Sequence, residues 1–130
     1  MRQTFTKDER LRKKILIEKL FQEGESLFLY PFRLHWLFYP LPAGSPAQVL
    51  ISVPKHALRK AVQRNLIKRR IREAYRKHKT LLYESLGSRQ KQMLLGITYS
   101  QKEILPYSLI EDKIIVFLQR LTDEYAKSTG

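Results

Sequence analysis

Cysteine is absent from the 130 residues, and that absence removes disulfide scaffolds, thiolate zinc sites and cysteine nucleophiles together. No apolar run follows Met1: residues 1–14 are dominated by Arg, Lys, Asp, Glu and Thr, which argues against a signal peptide. The most apolar stretch, 27–41, is broken by Pro31, Arg33, His35 and Pro40 and is too short and too polar to span a bilayer. Internal repeats are lacking as well. Acidic residues are scarce, 12 Asp and Glu against 25 Lys and Arg. A metal nuclease gathers carboxylates to hold Mg²⁺ against substrate phosphates, whereas Asp8, Glu18, Asp112 and Asp123 are dispersed along the chain. His35, His56 and His78 lack the paired spacing of a metal site or an acid–base couple. The expectation is a soluble, cytoplasmic protein with no bond-breaking residue and no protein-bound cofactor.

What is present is enough apolar sequence for a core, 43% of the chain, in a length that suits one domain over 1–130. The net charge is +13, and its distribution is uneven. Residues 55–79 hold 11 basic groups and one acid, Glu73, while 25–54 and 80–130 are each neutral overall. Like charges at helical spacing repel by a few tenths of a kcal/mol each. A segment this basic inside a folded domain therefore points to a polyanionic partner. Nucleic acid fits better than an anionic membrane surface or a merely solubilising charge run.

Periodicity divides the chain into helix, strands, helix, strand, helix. Thr6 with Glu9 reads as a capping box and Gly24 as a stop, which predicts a first helix over 7–23. Phe32, Leu34, Trp36 and Phe38 alternate as in a strand, with a shorter strand before Pro31. Residues 48–53 read as a further strand, ended by Pro54, and the loop over 40–46 suits an antiparallel hairpin between it and the aromatic strand. A long helix is predicted over 57–82, a turn over 87–91 and a strand over 92–99. Ser108 with Glu111 reads as a second capping box, opening a last helix whose stripe is Ile110, Ile114, Phe117, Leu118, Leu121 and Tyr125. Residues 126–130 read as a frayed tail. This order predicts an α+β fold, a two-layer α/β sandwich.

On the basic helix, Ile67, Ile71, Ala74, Tyr75 and His78 share the core-facing stripe. Lys68, Arg72, Arg76 and Lys79 form a row beside it, flanked by Arg69. Lys60 and Arg64 interrupt the apolar stripe in the first turns, as functional residues do. Asn65 adds a group that both donates and accepts.

The stretch KAVQRNLIKRRIREAYR, with Val53 and Lys55 before it, resembles the signature helix of the bacterial ribonuclease P protein family. The resemblance extends to the first helix, to Gly24-Glu25-Ser26 and to the order of elements at the C-terminus. Leu66 stands where that family usually carries Arg, so that contact is lost or supplied by a neighbour such as Arg70. The resemblance implies a ribosomal-protein-S5-domain-2-like fold with a left-handed βαβ crossover, although about 98% of such connections are right-handed. It implies that the protein binds a catalytic RNA and assists removal of the 5′ leader from precursor tRNA, with Mg²⁺ entering through the RNA. The partners implied are the catalytic RNA and precursor tRNA, with no membrane and no DNA.

The same resemblance points to RNA-binding residues Lys55, His56, Lys60, Arg64, Asn65, Lys68, Arg69, Arg72 and Arg76. It places the single-stranded leader in a cleft between the first helix and the sheet, at Ile17, Phe21 and His35, with Arg12 and Lys13 beside it for phosphates. Two alternatives stay open on sequence: Phe21 as a stacking platform or as a packing residue, and His56 as a cap-region residue or an RNA contact. A structural or ribosomal RNA-binding protein of the same fold is the competing function. A DNA regulator is weaker, because recognition helices mix basic residues with Asn, Gln, Ser and Thr and are shorter.

Overall fold

The computed structural model describes residues 5–41, 45–88 and 90–129, with side chains as far as Asp123. A single 3-10 turn, Lys7–Glu9, precedes α1 (Lys14–Glu23), β1 (Glu25–Leu29), β2 (Phe32–Phe38) and β3 (Ala47–Ser52). Then come α2 (Ala61–His78), α3 (Thr80–Ser88), β4 (Met93–Tyr99) and α4 (Tyr107–Thr129). The α+β architecture read from the sequence is present, with one four-stranded sheet.

The sheet order is β1-β2-β4-β3, antiparallel except for the β3–β4 pair. The predicted β2–β3 hairpin is therefore corrected. β4 lies between those strands, because its run MLLGITY is buried at every position but Thr98 and needs neighbours on both edges. The hairpin of this sheet is β1–β2, turning at Tyr30-Pro31. Parallel pairing of β3 with β4 requires a crossover, and α2 and α3 supply it.

One face of the sheet carries the main core. Phe32 and Leu34 of β2, Val49 of β3 and Leu95 and Ile97 of β4 meet α2 and α4 there. Of the predicted stripes, Ile67, Ile71, Ala74 and Tyr75 of α2 and Ile110, Ile114, Phe117, Leu118 and Leu121 of α4 are buried. His78 is half-buried on Glu111, and the Tyr125 side chain lies outside the described residues. Each buried Ile, Leu or Phe among them contributes about 1.5–3 kcal/mol on burial. The opposite face is partly covered by α1, whose Leu20 packs with Leu11 and Leu94 in a second, smaller cluster.

Several boundaries move, each for a tertiary reason. The predicted helix over 7–23 splits, because residues 10–13 are extended. Arg10 bridges Val49 and the Leu11 amide donates to the Val49 carbonyl at 3.0 Å, covering the free edge of β3. The helix predicted over 57–82 begins at Ala61, since Ala57 and Leu58 fold into a buried turn on the Pro54 carbonyl. It breaks at Lys79, where the side chain turns into the core. Gly87 lies inside α3 rather than in a turn. α4 starts at Tyr107, ahead of Ser108, and Glu111 serves His78 and Tyr107 instead of a cap. α4 continues through the predicted tail to Thr129, and Gly130 lies outside the described residues.

Candidate nucleic-acid interface

Two surfaces and a bridge between them carry the predicted residues. The first surface is α2. Its buried stripe turns Lys68, Arg69, Arg72 and Arg76 away from the core, Arg69 exposed and the others half-buried. Arg76 is engaged: its guanidinium forms a two-pronged ion pair with Glu73, at 2.5 and 3.1 Å. The Arg76 hydrogen bond and charge, with Lys77 nearby, hold the Glu73 carboxyl below its ordinary value. Lys79 leaves the predicted row altogether. Its Nζ lies 2.5 Å from Glu9 Oε2, and the residue is 3% exposed, a buried ion pair and not a surface cation.

The N-terminal end of α2 is built by a folded loop. Arg64 reaches back to donate to the carbonyls of Leu58 and Arg59, at 3.0 and 2.6 Å, so it orders the loop that carries Lys55, His56 and Lys60. Those three residues are exposed, as is Asn65. Arg70 donates to the Leu105 carbonyl at 2.7 Å, tying α2 to the β4–α4 connection. One of its guanidinium nitrogens is thus engaged in the fold. Lys60 and Lys13 are the N-cap residues of α2 and α1, and neither helix has an acid in its first turn. A cation at the positive end of a helix dipole costs about 0.3–1 kcal/mol, and both places are left as anion-seeking surface.

The second surface is the sheet face beneath α1. Gly96 of β4 permits the approach: a Cβ there would stand 3.2 Å from Leu20 Cδ2 and 3.5 Å from His35 Cβ. Leu20 is fully buried, while its neighbour Phe21 is 43% exposed and sits edge-on to His35, ring centroids 4.6 Å apart. Such exposure is far from a core residue's. Ile17 is half-buried beside them. Burial, with the charge of Arg33 added, pushes the His35 imidazole below its ordinary value, and its Nδ1 is buried with no hydrogen-bond partner.

Two residues missed in the sequence join this face. Phe28 pairs in register with Arg33, whose guanidinium lies 5.7 Å from the Phe28 ring centroid, two residues along β2 from His35. Phe28 is 52% exposed. The alternation of β2 already put Arg33 and His35 on one face. Phe28 needed the β1–β2 register, which no local pattern supplies.

The bridge is the segment 10–13. Exposed Arg12 and Lys13 lead from the β3 edge into α1, and Arg10, Arg12 and Arg72 of α2 line one depression over Val49, Leu50 and Ile51. Among the described residues, no group of three or more His, Asp or Glu could hold a metal ion.

A basic helix on one side, an aromatic and imidazole shelf on the other, and arginines between them define an RNA-binding protein of α+β fold. The ribonuclease P family model matches residues 5–121, and the chain belongs to that family. The ribonuclease P protein component of Porphyromonas gingivalis is 33% identical over 106 residues, covering 82% of this chain and 77% of that protein. That of Dictyoglomus turgidum is 37% identical over 82 residues, 63% of this chain and 66% of that protein. The structure of the Staphylococcus aureus RNase P protein superposes with a TM-score of 0.70 at 22% identity, over 88% of this chain and 96% of that one. The RNase P protein from Thermotoga maritima does so with 0.65 at 24% identity, over 86% and 96%, a likeness of fold.

Proposed function

We propose that this chain is the protein subunit of a ribonucleoprotein ribonuclease P in the cytoplasm, with the catalytic centre and its Mg²⁺ in the RNA subunit. The observation that carries the reading is the α2 row. Lys68, Arg69 and Arg72 stand beside a fully buried stripe, and these three form no ion pair among the described residues. Such a row of unneutralised cations suits the backbone of a structured RNA, where phosphate contacts supply most of the affinity. Lys55, His56, Lys60 and Asn65 extend it at the N-terminal end of α2.

The shelf of Phe21, Phe28 and His35 suits a different substrate, the single-stranded 5′ leader of precursor tRNA. Exposed rings stack bases without sequence preference, worth about 1–3 kcal/mol per base. With its Nδ1 buried, His35 can offer only its other ring nitrogen to a base edge. Arg12, Lys13 and Arg33 flank the shelf for leader phosphates. Two such surfaces, one for a folded RNA and one for a single strand, favour this reading over a ribosomal RNA-binding role. The test is reconstitution. Protein with the ribonuclease P RNA of the same genome should cleave precursor tRNA at its 5′ end, and RNA-free protein should not cleave at any Mg²⁺ concentration. Cleavage by RNA-free protein that one Asp or Glu substitution abolishes would overturn it.

A further inference from the structure

Glu9 is the centre of a buried polar network that joins the start of the chain to the α2–α3 junction. Its Oε2 accepts from Lys79 Nζ at 2.5 Å and from the Tyr83 hydroxyl at 2.6 Å. Its Oε1 accepts from the Thr6 amide at 3.0 Å and hydroxyl at 3.2 Å. The Tyr83 hydroxyl is in turn 3.0 Å from that of Tyr75. Glu9 and Lys79 are 70 residues apart in the chain and 4% and 3% exposed. Their removal from water yields little net stability, which makes registry the better account of why a carboxylate and an ammonium are buried here.

What the network registers is the segment that follows it. Immediately after Glu9 the chain is laid along β3, with Arg10 bridging Val49 and the Leu11 amide bonded to the Val49 carbonyl. Arg10 is held over the Phe5 ring at 5.3 Å, and Phe5 stands edge-on to Tyr75 at 5.9 Å. Arg10 and Arg12 thereby meet Arg72 around one open depression. The Arg72 Nε is buried and has no hydrogen-bond partner. No carboxylate among the described residues pairs with any of the three arginines. Three arginines lining one depression without an acid, one with an orphaned donor, suit the oxygens of a phosphate.

We propose that Arg10, Arg12 and Arg72 seat one phosphodiester group of bound RNA at the β3 edge, and that the Glu9–Lys79 pair is the positioning latch that brings the first two to the third. This rests on the RNA-binding reading above and deepens it. The seat lies between the α2 row and the α1 shelf, so a strand held there passes from one surface to the other.

Three measurements on the full chain test the proposal. Hydrogen exchange in the RNA-free protein reads the latch: Glu9→Gln should speed Leu11 amide exchange about tenfold or more while Ile71 stays protected. Should Glu9→Gln fail to fold, Tyr83→Phe removes one of Glu9's donors and should give a smaller rise at the same amide. Unchanged Leu11 exchange in the folded variant overturns the latch. Salt-dependent binding of the ribonuclease P RNA reads the seat: Arg10→Ala and Arg72→Ala should each weaken affinity about three- to tenfold and lower the slope of log K by about 0.7–0.9. If they hold one phosphate, the double variant loses less than the product of the single losses. A full product, or no loss, overturns the seat. Inorganic diphosphate separates this from the RNA reading. It should shift the Arg72 Nε–H resonance in the unaltered protein and not in Arg10→Ala. No shift overturns the seat even where RNA binds, and a shift upholds it even if ribonuclease P RNA proves not to be the partner.

Discussion

Phe21 and His35 meet edge to face, ring centroids 4.6 Å apart, across the gap between α1 and β2 that Gly96 leaves open. The contact leaves Phe21 43% exposed, so a little under half of its surface is open to a ligand. Phe21→Ala should therefore weaken holoenzyme binding of leader-bearing precursor tRNA by about 1–3 kcal/mol relative to mature tRNA. Its stability loss should stay below the about 3–5 kcal/mol of a buried Phe. Paired affinity ratios and thermal unfolding check both. An unchanged ratio with a large fall in melting temperature would return Phe21 to the core.

His35 carries a pH signature. Its folded-state pKa lies below the ordinary imidazole value of 6.5, mainly through burial and secondarily through Arg33. Between the two values the unfolded chain binds more protons, so stability rises with pH through that window and is level above it. Lowering the pH below about 6.5 should destabilise the protein, and His35→Gln should remove that part of the dependence. Denaturant midpoints at a series of pH values between neutrality and mild acid would show the difference. Identical profiles for the two proteins would refute it.

The Glu9–Lys79 pair should behave as buried pairs do. Lys79→Met leaves a carboxylate buried and uncompensated, at a cost of about 3–5 kcal/mol, whereas adding Glu9→Leu should recover most of it. Urea unfolding of the single and double variants measures this, and a double variant no better than the single would contradict it. Burial opposes the charged Glu9, but hydrogen bonds from Lys79, Tyr83 and Thr6 with the ammonium's field outweigh it and lower the pKa. The contribution is complete above the ordinary carboxyl value near 4.5 and is lost as pH falls through the lower folded value.

Within the α2 row, Lys68 and Arg64 should separate. Lys68→Ala should weaken binding to structured RNA and lower the salt slope by about 0.7–0.9, with little change in stability. Arg64→Ala frees the carbonyls of Leu58 and Arg59, so it should lower stability by about 1–3 kcal/mol. Its RNA defect should persist at high salt, since it comes from a disordered loop more than from a lost charge. Equal slopes and equal melting temperatures would show that the two residues act alike.

The α2 stripe and its charged flank were legible in the sequence, because both depend on spacing within one helix. Ile67, Ile71, Ala74 and Tyr75 recur at helical period, and their burial follows whatever the helix packs on. The aromatic strand, the cysteine-free chemistry and the concentration of charge in residues 55–79 were equally local. So was the family, which rests on a contiguous motif.

What only the tertiary structure decided are relations between distant segments. Spacing set Lys79 in the cationic row, and the arrival of Glu9 from 70 residues away turned it into the core. The strand order put β4 where a hairpin looked natural, because its unbroken apolar run needs cover on both faces and partners on both edges. Phe21 has its ring tip near Gly96 and its edge on His35 and is still 43% exposed, a seat that spacing along α1 could not show. Arg10, Arg12 and Arg72 share a depression only because the β3 edge must be covered and residues 10–11 cover it. Periodicity reports which way a side chain points on its own element. It is silent on which other element arrives there, and the candidate site is made of those arrivals.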